Sequence, residues 1–125
     1  MTTATATITA PQTLAVGKGE TVTIGIAVAP RLASGELLTG TPTVVEVSSE
    51  LGGTDLDPTI DNVQLNTAPI TIRGVSYAIG QAILARVSGW SAAGTATLRA
   101  ECGTDATPAN TRGGLVVVTV LADGS

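Results

Sequence analysis

The acidic side chains of one polar segment are the first candidates for chemistry in this sequence. Asp55, Asp57 and Asp61 lie close together in the run GTDLDPTIDN. Carboxylate oxygens at such spacing can bind a hard cation such as Ca²⁺. The spacing does not match the EF-hand loop, which needs a glycine at its sixth position and a closing glutamate, and aspartates in loops often cap turns instead. We therefore assign no residue as a metal ligand. Whether these three aspartates bind a cation is a question that the sequence leaves open.

The sequence lacks most of the side chains that usually support nucleophilic and acid–base catalysis. The sequence has no histidine and a single cysteine, Cys102. Ser76, Ser88 and Ser91 therefore have no imidazole to activate them, and the lone thiol is expected to be a small buried hydrophobe at the end of a strand. A glycosidase needs two carboxylates across a substrate cleft, and nothing in the sequence indicates one. We predict a protein that is not an enzyme, with no catalytic residues and no cofactor.

The two aromatic residues, Trp90 and Tyr77, are the candidates for an interface. Trp90 lies in the run SGWS, between small residues at a turn between strands. Turn tips face outward, and an exposed tryptophan is a strong interface anchor; burial in the core is the open alternative. Tyr77 is expected to be half-buried with its hydroxyl group at the rim.

Short stretches of alternating apolar and polar residues must position these side chains, and they predict β-strands. The clearest stretch covers residues 21–29. Its core face is expected to consist of Val22, Ile24, Ile26 and Val28. The strand expected at 82–87 should bury Ile83, Ala85 and Val87. The strand expected at 95–102 should bury Ala96, Leu98, Ala100 and Cys102. Further strands are expected at 5–10, 37–47, 59–65, 70–72, 75–79 and 115–121, and turns or loops at 16–20, 48–58 and 103–114.

Strand number and spacing predict the fold class. Seven to nine short strands with regular turn signals and no helical period are typical of an immunoglobulin-like, two-sheet antiparallel β-sandwich, an all-β fold. The length of 125 residues fits a single domain, residues 1–125. Within it, residues 1–19 are expected to form an N-terminal arm or edge strand, and residues 20–121 the core sandwich.

Charge and hydropathy exclude several classes of partner. The net charge is −4 and the arginines are dispersed, so we expect no binding to nucleic acid. No apolar run approaches the roughly 18 residues of a membrane span, and the first residues lack the basic and apolar regions of a signal peptide. Charged residues make up 13% of the chain, against about 25% in typical soluble domains. A surface with so few charges favours contact with other subunits in an assembly.

One continuous run, VQLNTAPITIRGVSYAIGQAILARVSGWSAAGTATLRAE, carries a set of turn-and-strand motifs. The motifs are N-x-x-x-N-T at 62–67, T-I-x-G at 71–74, G-Q-A at 80–82, a strand exit ending in R-V-S-G at 85–89, and G-T-x-T-L at 94–98. With the upstream stretch RLASGELLTGTPTV, they resemble the small Ig-like virion proteins of tailed phages, over roughly residues 20 to 120. Ala85 and Ala96 stand where that family has aromatic core residues.

The resemblance implies a non-enzymatic structural protein of the virion, assembled in the host cytoplasm. The expected function is that of a capsid decoration (cement) protein, present as a homo-oligomer or multi-copy array on the lattice of the major capsid protein. The first alternative is a tail or neck adaptor that docks fibres, with tail or fibre proteins as partners. A third, from a different class, is an adhesive carbohydrate-binding Ig-like module, which is expected to show an aromatic patch.

Overall fold

The strands of this protein follow the alternating stretches of its sequence. A computed structural model describes residues 13–28, 32–52, 55–72 and 75–122. Within these ranges the strands are β1 (Thr13–Gly17), β2 (Val22–Ala27), β3 (Thr43–Glu46), β4 (Thr59–Leu65), β5 (Ile70–Ile72), β6 (Val75–Tyr77), β7 (Ala82–Ser88), β8 (Gly94–Gly103) and β9 (Thr111–Leu121). A short 3₁₀ helix, Ser48–Leu51, follows β3. None of the described helical structure has the length and hydropathy that crossing a membrane requires.

Two sheets pack face to face, and a two-stranded ribbon lies against the outer surface of one of them. The first sheet has the strand order β1-β9-β8-β3, the second β2-β7-β4, and β5 pairs with β6. This arrangement confirms the predicted immunoglobulin-like β-sandwich. The pairings are antiparallel except at one edge, where β1 runs parallel to β9 with Thr13 opposite Val117 and Gly17 opposite Leu121. The sandwich is therefore antiparallel with one parallel pairing, at this edge.

The core lies between the two sheets and is almost entirely aliphatic. The predicted core face of β2 is confirmed, with Val22, Ile24, Ile26 and Val28 all buried. So are the predicted core faces of β7 and β8, and both sheets contribute to the same cluster of buried side chains. Valine, isoleucine, leucine and alanine make up most of this cluster, and Trp90 is its one aromatic member.

The β5–β6 hairpin folds back over the outer surface of the second sheet. Ile70 and Tyr77, which pair across the hairpin, pack against Ala27 and Ala82. These alanines point away from the main core because their neighbours in each strand point into it. Their small side chains leave room for the hairpin to lie close to the sheet.

Several element boundaries differ from those expected. Residues 16 and 17 belong to β1 instead of a turn because Val16 packs into the core. β9 begins at Thr111, inside the predicted 103–114 loop, because Gly113 and Gly114 continue the ladder opposite Glu101 and Ala100. Within 37–47, β3 is the regular strand, while Leu38 makes an isolated bridge to Thr104. The strand expected at 5–10 lies outside the described residues.

Candidate interaction surface at the loop end

One end of the sandwich carries the long connections, and buried polar side chains tie them together. We call this the loop end: residues 32–42, 66–69, 78–81 and 104–110, from the β2–β3, β4–β5, β6–β7 and β8–β9 connections. Glu36, Asn66 and Thr104 belong to it and are buried. Buried polar groups are costly unless hydrogen-bonded, so the partners of these three decide what the loops can do.

The carboxylate of Glu36 joins the β2–β3 loop to the β8–β9 loop. Oε2 accepts hydrogen bonds from Asn110 Nδ2 at 2.8 Å and Thr104 Oγ1 at 2.9 Å. Oε1 accepts from the Ala33 N–H at 3.0 Å and from Arg112 Nε at 3.1 Å. Four donors thus surround one buried carboxylate, the arrangement in which a buried charge is stable.

The same donors change the acidity of the group. Hydrogen bonds from Asn110 and from the Ala33 backbone, with smaller contributions from Thr104 and the Arg112 charge, lower the pKa of Glu36 from 4.5 to about 2, against the opposing effect of burial. Glu36 is therefore ionised near neutral pH. Both oxygens of the Glu36 carboxylate already accept hydrogen bonds from the two loops. The carboxylate therefore holds the loops together and is not free for acid–base chemistry.

Asp105 and the backbone add further bonds between the same loops. Asp105 Oδ1 accepts from the Leu37 N–H at 2.9 Å, and the Asp105 N–H donates to the Leu37 carbonyl at 3.0 Å. The Leu38 N–H reaches the Gly80 carbonyl at 2.8 Å, which brings in the β6–β7 connection. The β2–β3 connection is therefore bonded directly to both the β8–β9 and the β6–β7 connections.

Asn66 fixes the base of the β5–β6 hairpin. Its Oδ1 accepts the backbone N–H groups of Gly80, Gln81 and Ala82 at 3.0, 3.3 and 3.1 Å. Its Nδ2 donates to the carbonyls of Ala68 and Ala78 at 3.1 and 2.8 Å. The Asn66 side-chain amide thus provides hydrogen-bond partners for backbone groups between the end of β4 and the start of β7, where the chain has left the sheet.

Two large apolar side chains are exposed on this rigid end. Leu37 is 39% exposed and Ile79 is 56% exposed. Gly80, the residue after Ile79, lies beside Leu37, because a Cβ built on Gly80 would be 3.5 Å from Leu37 Cβ. Exposed apolar side chains on loops that are held by buried hydrogen bonds form a preorganised contact surface.

The expectation that Trp90 is exposed at a turn tip is wrong. The side chain is only 4% exposed and belongs to the main core cluster. The following residue explains this placement: the Ser91 N–H and Oγ both donate to the Leu56 carbonyl, at 2.8 and 2.9 Å. These bonds draw the 89–93 loop over the neighbouring loop, so the indole between them turns inward. It is not available as an interface anchor in the folded domain.

Tyr77 is partly buried, as its strand context indicates. It packs on Ala27 and Ala82 beside Ile70. Its role there is to hold the hairpin against the sheet, and its use in an interface stays a prediction.

The three aspartates of the polar segment serve separate local contacts. Asp55 Oδ1 accepts the Ser49 N–H at 3.2 Å. Asp61 forms a two-point ion pair with Arg86, at 2.8 and 2.9 Å, and the hydrogen bond from Arg86 lowers the pKa of Asp61. Asp57 takes a positive φ of 49°, a turn role that aspartate tolerates. Among the described residues, no group of three or more potential metal ligands comes together.

Two of the remaining nucleophiles, Cys102 and Ser91, bond to backbone carbonyl groups. Cys102 is buried and donates to the Thr39 carbonyl at 3.3 Å, and burial raises the pKa of its thiol. Ser91 donates to a backbone carbonyl. Sequence reasoning missed Glu36 and Asn66, the two residues that organise the loop end. Asn66 did fall within the N-x-x-x-N-T motif, and its side chain bonds to the backbone of the G-Q-A motif.

Comparisons with known proteins yield distant structural likenesses. No family model and no curated protein matches the chain. Among solved structures, the cysteine protease inhibitor EhICP2 from Entamoeba histolytica is 12% identical with a TM-score of 0.48, covering 95% of this chain and 97% of its own. The solution structure of amebosin is 17% identical with a TM-score of 0.37, covering 92% and 96%. Both likenesses are too distant to indicate a function.

Proposed function

We propose that this protein is a non-enzymatic structural component of a tailed-phage virion, most simply a capsid decoration protein that binds the lattice of the major capsid protein. The observation that carries the proposal is the Asn66 network. The motifs that resemble Ig-like virion proteins include Asn66 and the G-Q-A run, and Asn66 Oδ1 accepts the N–H groups of Gly80, Gln81 and Ala82. Two of the motifs that carry the resemblance therefore share one structural task.

Docking through the loop end fits this role. Leu37 and Ile79 supply apolar contact area, and the bonds of Glu36 and Asn66 reduce the ordering cost of binding because the loops are already fixed. A small contact of this kind is weak for one copy. In an array of many copies, however, it stabilises the assembled shell because each bound copy favours the assembled state.

The alternatives differ in what they require of the surface. A tail or neck adaptor uses the same kind of docking at another site of the particle, so copy number separates it from a decoration protein. An adhesive carbohydrate-binding module needs exposed aromatic rings, and the burial of Trp90 removes its strongest candidate.

The test begins with quantitative mass spectrometry of purified particles from the phage or prophage that encodes the chain. A decoration protein binds a repeating lattice and is therefore expected at hundreds of copies per particle. An adaptor at a single place on the particle is expected at about a dozen. Absence from purified particles would overturn the virion proposal.

A binding assay then tests the loop end. Purified protein is sedimented with capsids that lack it, comparing the wild type with Leu37→Asp and Ile79→Asp. Each variant is expected to weaken binding by roughly tenfold or more if its side chain is a central contact. Gln64→Asp, on the exposed outer surface of β4, is the matched control and should bind normally. Equal binding by all three variants would rule out this end as the docking surface.

A further inference from the structure

The outer face of the first sheet is unusually apolar for a surface exposed to water. In β9 the core side chains are Val116, Val118 and Val120, so Leu115, Val117, Thr119 and Leu121 point away from the core. A strand with apolar residues on both faces is typical of a sheet that is covered on both sides. We call this outer surface, formed by β1, β9, β8 and β3, the flat face.

The flat face carries half of the large exposed apolar side chains that the described residues present. Leu115 and Leu121 are each 38% exposed, and Val45 on β3 is 44% exposed. Val45 and Leu115 flank Arg99 in a row across three strands, because Arg99 pairs with both in the two ladders. Threonines at 43, 95, 97 and 119 lie on the same face.

Charge on the flat face is confined to one small group. Arg99 Nε lies 3.2 Å from Glu101 Oε1, and Arg99 Nη1 lies 3.6 Å from Glu50 Oε2. Because these groups already pair with one another, covering the face does not leave the arginine without a counter-charge. One arginine between two carboxylates still leaves a net charge of −1 on each face, and the apolar contacts have to outweigh that repulsion.

A groove lies directly beside Leu115. It has a volume of about 280 Å³ and is lined by Glu50, Arg99, Glu101, Gly113, Gly114 and Leu115. Gly113 excludes any side chain at this position, since a Cβ there would collide with the Ala100 carbonyl oxygen. The flat face therefore presents an apolar knob, Leu115, next to a depression larger than the roughly 150 Å³ that holds a benzene-sized group.

We propose that two copies of this chain associate through their flat faces, with Leu115 of each copy seated in the groove of the other. A two-fold axis that lies in the interface and passes between knob and groove places each Leu115 over the partner's groove. Symmetric dimers require this kind of self-complementary surface. The inference does not rest on the proposed function, because it concerns purified protein alone.

The size of the face is compatible with a reversible dimer. Four strands about 4.8 Å apart and roughly 20–30 Å long give about 400–600 Å² on each copy. Two copies then bury roughly 800–1,200 Å², which is the lower end of specific interfaces and typical of modest affinity. Packing the two sheets with their strands within about 30° of each other is also a standard arrangement for sheet faces.

The test is the oligomeric state of the full chain by sedimentation velocity, over concentrations from about 1 µM to about 500 µM, a range chosen for an interface of modest affinity. The wild type is expected to shift from monomer to dimer within this range. Leu115→Glu is expected to weaken dimerisation by roughly 100-fold, because it removes both symmetry-related knobs.

Two further variants keep the result interpretable. Val75→Glu introduces the same charge at another exposed apolar strand residue, 51% exposed against 38% for Leu115, but on the β5–β6 hairpin, and should dimerise like the wild type. Leu115→Thr removes the knob without adding charge and suits a β-strand, so it should weaken the dimer even if Leu115→Glu folds poorly. A wild type that stays monomeric throughout, or a dimer that survives both Leu115 variants, would overturn the proposal. A monomer that instead binds a different protein through the flat face would also overturn it.

Discussion

Trp90 combines the largest side chain of the core with a polar group that has no hydrogen-bond partner among the described residues. The indole is buried, and its Nε1–H lies in contact with neither an acceptor nor solvent. Leaving such a donor unpaired costs about 1–3 kcal/mol. The ring is retained against that cost because the core around it is built from aliphatic side chains and alanines, which cannot fill the same volume.

Replacing this side chain should therefore affect the fold of the isolated domain. Trp90→Ala is expected to lower the free energy of unfolding by about 3–5 kcal/mol, the usual cost of emptying a large buried site. Trp90→Phe should lose clearly less, because it keeps an aromatic ring and removes the unpaired N–H. Urea unfolding measures both. A loss below about 1 kcal/mol for Trp90→Ala, or strong acrylamide quenching of the native fluorescence, would contradict core placement.

At the scale of elements, the β5–β6 hairpin depends on one residue outside it. Asn66 supplies five hydrogen bonds at the hairpin base, while the hairpin itself has three residues in each strand. A two-stranded ribbon this short is not stable alone. The asparagine amide and the packing of Tyr77 on the sheet therefore maintain its position.

Asn66→Ala should release the hairpin before the sandwich. We expect a loss of about 2 kcal/mol or more in unfolding free energy, since several buried backbone groups lose their partner. Amide hydrogen exchange at Gly80, Gln81 and Ala82 should accelerate strongly, while exchange in β8 stays nearly unchanged. Asn66→Asp keeps the accepting oxygen and should preserve more of the protection at those three amides. Uniform acceleration across all strands would contradict this local role.

The elements themselves were largely predictable from alternation. β4 and β5 have the predicted bounds, and β7 and β8 differ by a residue or so at their ends, because one buried face imposes a period of two on the sequence. The start of β9 was missed because consecutive glycines usually indicate a turn, and here they stay in the ladder. β1 was missed because its short run also contains a glycine, at Gly17.

The candidate surface was much less predictable. Thr104 and Arg112 bond to Glu36 from 68 and 76 residues away along the chain, and no local pattern encodes such a pairing. Trp90 was misplaced for a related reason. Its flanking glycine and serines indicate a turn, whereas its burial depends on Ser91 bonding to Leu56 in a distant loop.

For the molecule as a whole, acid is expected to remove stability that Glu36 provides. Its pKa in the folded state is about 2, below its ordinary value of 4.5, so the unfolded chain takes up the proton first as pH falls. The contribution is therefore present above about pH 4.5 and is lost as pH falls toward 2. Asp61, whose pKa the hydrogen bond from Arg86 lowers, acts in the same direction.

Unfolding experiments across this pH range give the check. Glu36→Gln should be less stable than the wild type near neutral pH, because the amide carries no charge for Arg112 and offers a donor where donors already converge. The difference in unfolding free energy between the two proteins should shrink steadily from pH 4.5 to pH 2. A difference that stays constant over this interval would show that ionised Glu36 is not the group responsible.

The parallel pairing of β1 with β9 also determines how the domain responds to mechanical load. β1 runs from Thr13 to Gly17 beside the stretch of β9 from Val117 to Leu121, so the chain enters at one end of this pair and leaves at the other. A force that pulls the two chain ends apart acts along both strands in opposite directions. The backbone hydrogen bonds between them are then loaded together in shear, instead of being opened one after another from a single end.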